Sequence, residues 1–306
     1  KLGGLSVINH PGEYSNARDE LYTADAYNAE NPMYNYKINK FAHLLRTYGT
    51  CIGIDVNSKG DYRTRFDRKL WDILLQKVTP TGRNVLGIAT TDSHNLDIVD
   101  SGYVLALMPE KTSAALKKSL ESGQFFAASK YIGNYDELVQ LYEEVRVIKS
   151  LEASRVAGKL SEAIENIAAQ IENGKQKDQY KVEDGTVAPK VTNIIVDNTA
   201  DTITVTAENA LTVHWIADGK VIQVGNMLDL NDHSDEIGSY VRAEVFGAGG
   251  ILYVEPFLLS YDGAPAPEDE GHFYDFGTIA SLICDTPVKI LEIILPLGLI
   301  FKLAGK

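Results

Sequence analysis

The sequence predicts an α/β layer or barrel portion over roughly the first 130 residues, followed by a small all-β sandwich. Three observations lead there. Short apolar runs alternate with helix-like segments up to about residue 130, a purely helical stretch occupies 134 to 173, and from Val191 onward the apolar period changes to two.

In the first part, "LSVIN" (5–9), "CIGIDV" (51–56), "NVLGIAT" (84–90) and "YVLALM" (103–108) each read as a buried strand bounded by polar or turn residues. Between them, residues 34–49, 66–78 and 112–123 carry helical spacing, the last with Thr112 and Ser113 at its start and Gly123 at its end. Strands separated by helices imply parallel pairing, and four strands are too few to close a barrel of about eight.

The segment from 134 opens on Asn134 with Glu137 three positions on, a capping-box pattern. Leu138, Leu141, Val145 and Ile148, then Leu160, Ile164, Ile167 and Ile171, predict one broken helix or a helical hairpin ending at Gly174. The polar run from 173 to 190 is the best linker candidate. Beyond it, six short β-type runs lie between Val191 and Leu259, with Asp218-Gly219 as a hairpin turn between two of them. "GAGG" (247–250) joins two strands and precedes no helix, so it predicts a turn and not a phosphate cradle. The expected organisation is therefore 1–133 as the α/β portion, 134–190 as helical insertion and linker, 191–262 as the sandwich, and 263–306 as a spacer with an apolar tail.

Composition narrows the function. Acidic residues outnumber basic ones 42 to 29, a formal charge of −13, which argues against a nucleic-acid partner held through its phosphates. The two cysteines, Cys51 and Cys284, form no CxxC knuckle and do not decide the redox compartment. No apolar leader opens the chain, so a cytoplasmic location is expected. The tail "IILPLGLIF" (293–301) is far short of the roughly 20 residues of a membrane span and reads as a docked segment or an interfacial contact. No transmembrane segment is expected.

Of the six histidines, His10 follows the strand "LSVIN" and precedes Pro11-Gly12, which places its imidazole at a strand C-terminus. Asp92 and His94 follow "NVLGIAT" in the same way, and an i, i+2 pair in extended chain shares one face. Strand C-termini are where α/β sheets place ligands, and imidazole nitrogen with carboxylate oxygen suits Zn, Mn or Fe. The alternative at each position is a turn or helix cap. His43, His214, His233 and His272 sit in apolar, strand, loop and aromatic settings that predict structural roles.

Taken in order, "LSVINHPG", "GIDVN", "GRNVLGIATTDSHN" and "SGYVLALMPEKTSAALKKSLESGQFFAAS" resemble the later motifs of the polymerase and histidinol phosphatase (PHP) superfamily of metal-dependent phosphoesterases. The β region containing "IGSYVRAEVFGAGGILYVEPF" is similar to a sandwich appended in a subgroup of that family. The resemblance implies part of a distorted (β/α)7 PHP-type barrel followed by the small sandwich. It also implies hydrolysis of a small phosphorylated substrate by metal-activated water, with up to three divalent ions. His10, Asp92 and His94 match family ligands, and Asn57, Lys59 and Arg63 are candidates for holding the phosphate.

The chain departs from the pattern in two places. No His-x-His is present and only nine residues precede His10, so the first half of the barrel is expected to lie outside the chain, and the chain alone to be inactive. Asp55 stands where a Glu is expected and is not assigned as a ligand. The rival expectation is a non-catalytic scaffold, in which a degenerate barrel supports a sandwich that binds a partner or glycan.

Overall fold

A computed structural model of the chain describes residues 3–14, 32–58, 66–96, 99–173 and 179–268. Within these residues the fold is mixed α/β with three sheets and five α-helices, and no sheet closes into a barrel.

Three strands, β1 (Ser6–Ile8), β2 (Cys51–Asn57) and β3 (Leu86–Ala89), form a parallel sheet in the order β1-β2-β3. The central strand β2 is buried at every position, which is why it reads as a mostly apolar run, interrupted by Asp55, and not as an alternating one. Gly53 is required in it, because a Cβ there would lie 1.9 Å from the carbonyl oxygen of Leu86 on the neighbouring strand. Helices α1 (Pro32–Thr47) and α2 (Asp67–Val78) are the intervening segments. Each turns one stripe inward: Ile38, Phe41, Ala42 and Leu45 from α1, and Leu70, Trp71, Leu74, Leu75 and Val78 from α2, join Ile54 and Val56 in one core.

The fourth expected parallel strand is corrected. β4 (Gly102–Ala106) pairs antiparallel with β5 (Phe125–Ser129), across helix α3 (Ser113–Glu121), and joins a different sheet. The physical reason is "FFAAS": this wholly buried run makes a strand that pairs antiparallel with β12 (Gly250–Leu258), Ile251 opposite Ser129 and Val254 opposite Phe126. A six-stranded sheet results, in the order β4-β5-β12-β11-β8-β9, where β8 is Thr212–Ala217, β9 Lys220–Val224 and β11 Tyr240–Gly247. It draws strands from both sides of the boundary expected at 133.

The six-stranded sheet is the middle layer of the molecule. On one side lies a small sheet of β10 (Met227–Asp229), β7 (Thr202–Glu208) and β6 (Lys190–Asp197). Between the two sheets Ile203, Val205 and Leu228 meet Val213, Trp215, Val241, Ala243, Val245 and Leu252, so the sandwich has its own core. The period of two then sends Tyr240, Phe246, Ile251 and Tyr253 to the opposite face, where they enter the core with the helices.

The helical stretch is a hairpin of α4 (Tyr135–Val145) and α5 (Leu151–Glu172); α4 starts at the predicted Asn134 cap, and α5 at Ser150, whose hydroxyl accepts the Ala153 N–H at 3.1 Å. Asn134 and Glu137 form the capping box, and Glu137 also pairs with Arg68 of α2, Arg68 Nε donating to its Oε1 at 2.9 Å. One carboxylate thus fixes the start of α4 to α2. The described end of the predicted linker is held in place: Ile132 N–H donates to Tyr180 O at 2.8 Å, Val182 N–H donates to Lys130 O at 2.9 Å, and Val182 is buried. No helix among the described residues is long and apolar enough to cross a membrane. The aromatic patch with His272 and the apolar tail lie outside the described residues.

Candidate functional site

Because β1, β2 and β3 are parallel, their C-terminal ends fall on one edge of the sheet. His10 follows β1, Asp55 and Asn57 close β2, and Thr90 and Asp92 follow β3. His10 (φ 32°) and Asp92 (φ 44°) both hold the left-handed backbone region that non-glycine residues rarely adopt. Such a conformation costs on the order of 1–3 kcal/mol and persists where surrounding structure holds it, often at binding and catalytic sites.

Asp55 ties the three strand ends together. It is fully buried, and its Oδ2 accepts the Thr90 hydroxyl at 2.5 Å. Burial pushes its carboxyl up to about 6, against the pull of the Thr90 hydroxyl, the backbone N–H groups of His10 and Asn57, and the His10 imidazole. Its Oδ1 is buried with no hydrogen-bond partner among the described residues, as is the Oγ of Ser58, the residue after β2. The His-Pro-Gly turn is anchored from the other side, Gly12 N–H donating to Asp67 Oδ1 at 2.9 Å at the start of α2.

The expected ligands fall on this edge without forming one sphere. His94 reaches outward with its side chain 84% exposed, its Nδ1 donating to the Asp92 backbone oxygen at 2.8 Å and standing 4.0 Å from Asp92 Oδ1. Among the described residues no group of three or more His, Cys, Asp or Glu is close enough to hold a metal ion. The donor types still suit a divalent metal: an imidazole and two carboxylates at one edge, one carboxylate oxygen buried and unpartnered. Asn57 is committed inward, its Nδ2 donating to Tyr131 O and to the Tyr253 hydroxyl, each at 2.9 Å. Lys59 and Arg63 lie outside the described residues.

Sequence reasoning left Asp55 without a role and passed over Thr90 and Asp67. For Asp55 the signal was present: a carboxylate inside an otherwise mostly apolar strand, near its C-terminal end. Nothing local marks Thr90 or Asp67, whose partners lie 35 and 55 positions away.

The other three histidines among the described residues, His43, His214 and His233, are held as structural groups. His214 Nε2 meets Glu144 Oε2 at 2.6 Å, His233 Nδ1 meets Glu236 at 2.8 Å, and His43 packs edge-on to Tyr48. Burial pushes the Glu144 carboxyl up, but the hydrogen bond and charge of His214 outweigh it and hold the group below its ordinary value.

Behind the strand-end edge, α2 and the six-stranded sheet bury a second polar cluster. Arg242 of β11 donates to both carboxylate oxygens of Asp72, Nε to Oδ1 and Nη2 to Oδ2 at 2.7 Å each, and also pairs with Glu244. The Tyr240 hydroxyl donates to Asp72 Oδ1 at 2.8 Å, and the guanidinium lies 4.7 Å over the Trp71 ring. No family model, curated protein or solved structure matches the chain.

Proposed function

We propose that the chain contributes the closing ligands of a metal-dependent phosphoesterase site, with His10, Asp92 and His94 as ligands for divalent Zn, Mn or Fe and a small phosphorylated molecule as substrate. The observation that supports this reading is the gathering of His10, Asp55, Thr90 and Asp92 at one edge of the parallel sheet, two of them in strained left-handed backbone. A divalent ion bound there would supply an activated water and neutralise charge on phosphate oxygens. Asp55 positions the strand ends: it accepts from Thr90 and draws the His10 turn against β2. Asp67 holds the same turn from α2.

The test is metal content. After loading with Mn(II) or Zn(II) and desalting, the chain is expected to retain metal by elemental analysis, and His10→Ala and Asp92→Asn are each expected to lower the metal-to-protein ratio about tenfold or more, as is typical for loss of a ligand or its support. Circular dichroism should stay unchanged. Equal metal content in wild type and both variants would refute the reading.

The exposed side chain of His94, turned onto its own loop, favours a second reading, a non-catalytic binding scaffold. That reading predicts no retained metal in any of the three proteins, so the same measurement separates the two.

A further inference from the structure

A cavity of about 680 Å³ lies between the helical layer and the six-stranded sheet. Its size falls within the roughly 300–1,000 Å³ of small-molecule sites. From α2, the positions Arg68, Asp72 and Gln76 recur every four residues and so line one wall. The opposite wall comes from β8, β11 and the β8–β9 turn.

The charges on these walls decide what fits. Four cations (Arg68, Lys69, Lys220, Arg242) face four anions (Asp72, Glu137, Asp218, Glu244). The deeply buried cations are already neutralised, Arg68 by Glu137 and Arg242 by Asp72 and Glu244. An anionic or cationic ligand would find no excess of opposite charge and would bring an uncompensated one into a half-buried site. A hydroxyl, by contrast, both donates and accepts, and can join a paired guanidinium, a paired carboxylate and an amide at once.

The amides are present at the mouth, Gln76 on α2 and Gln140 on α4, both exposed. Between the polar groups run Ile73, Leu141, Ile216, Phe246 and Ile251, an apolar strip suited to the C–H face of a ring. We infer that this cavity binds a neutral, hydroxyl-rich small molecule, a mono- or disaccharide.

Calorimetric titration of the full chain in EDTA with glucose, galactose, mannose, maltose and sucrose tests this independently of any metal. At least one neutral sugar is expected to bind saturably, and Gln76→Leu and Gln140→Leu, both at exposed positions outside the Arg68–Glu137 and Arg242–Asp72 pairs, should each weaken it about five- to tenfold. Tighter binding of glucose 6-phosphate or glucuronate than of glucose would overturn the inference. So would the absence of saturable binding to all five sugars up to about 10 mM, or affinities that neither variant changes.

Discussion

Arg242→Ala is expected to destabilise the chain by roughly 3–5 kcal/mol, the cost of breaking a buried ion pair from one side. Arg242 is 3% exposed and Asp72 4%. Truncation removes both bonds of the fork to Asp72, the pairing with Glu244 and the stacking on Trp71 together. It leaves Asp72 buried without its guanidinium partner, and Glu244 with the charge of Arg68 left to offset its own. Burial alone pushes Glu244 up, and it is the charge of Arg242, helped by Arg68, that holds this group below its ordinary value. Urea unfolding monitored by circular dichroism gives the measurement. Arg242→Lys should recover only part of the loss, since an ammonium cannot reproduce the two-oxygen fork or the flat stack. In Arg242→Ala/Asp72→Asn the two losses should sum to less than their separate values, because the second change removes one of the charges stranded by the first. A midpoint in Arg242→Ala equal to wild type would show that the pair does not hold α2 to the sheet.

That pair also marks where the sequence stops being readable. The period-two run "SYVRAEVFG" states that Tyr240, Arg242, Glu244 and Phe246 share a face, and so places two charges on a side otherwise built to be buried. It does not state that their partner is Asp72, 170 positions away on a helix. The same division runs through the fold. β2, the capping box at Asn134 and the Asp218-Gly219 turn are local signals, and all appear where the sequence puts them. The pairing of β4 and β5 is not local. Their alternation with helices resembles a parallel unit, and only the adjacency of β5 to β12 makes them antiparallel members of the sandwich sheet. At the strand ends, the positions of Asp92 and His10 were legible because each comes within three residues of the end of an apolar run. The link through Asp55 and Thr90 depends on the β2–β3 register, in which Asp55 stands opposite Ile88, two residues before Thr90.

Stability should fall as pH rises above the ordinary carboxylate range, and Glu255 should account for a separable part of that fall. Glu255 lies on β12 with its Oε2 accepting the Gly87 N–H of β3 at 2.8 Å, so its carboxyl joins the parallel sheet to the six-stranded one. Its Oε1 is buried with no partner among the described residues. Burial pushes this carboxyl well above its ordinary value, and the Gly87 hydrogen bond offsets only part of the shift. The folded state therefore holds a proton that the unfolded chain releases near pH 4.3. The contribution of the neutral acid is complete below that pH and is lost progressively as pH climbs towards the folded-state value. Glu255→Gln keeps a carbonyl oxygen for Gly87 and cannot ionise. Between about pH 5 and pH 8 its urea midpoint should fall less than that of wild type, leaving the variant the more stable protein at the alkaline end. Asp55, raised to about 6, contributes a slope of the same sign, but it is common to both proteins and cancels in the difference. Midpoint curves that run parallel across this range would mean that Glu255 does not carry a proton in the folded chain, and that the contact between the two sheets is made by a charged carboxylate.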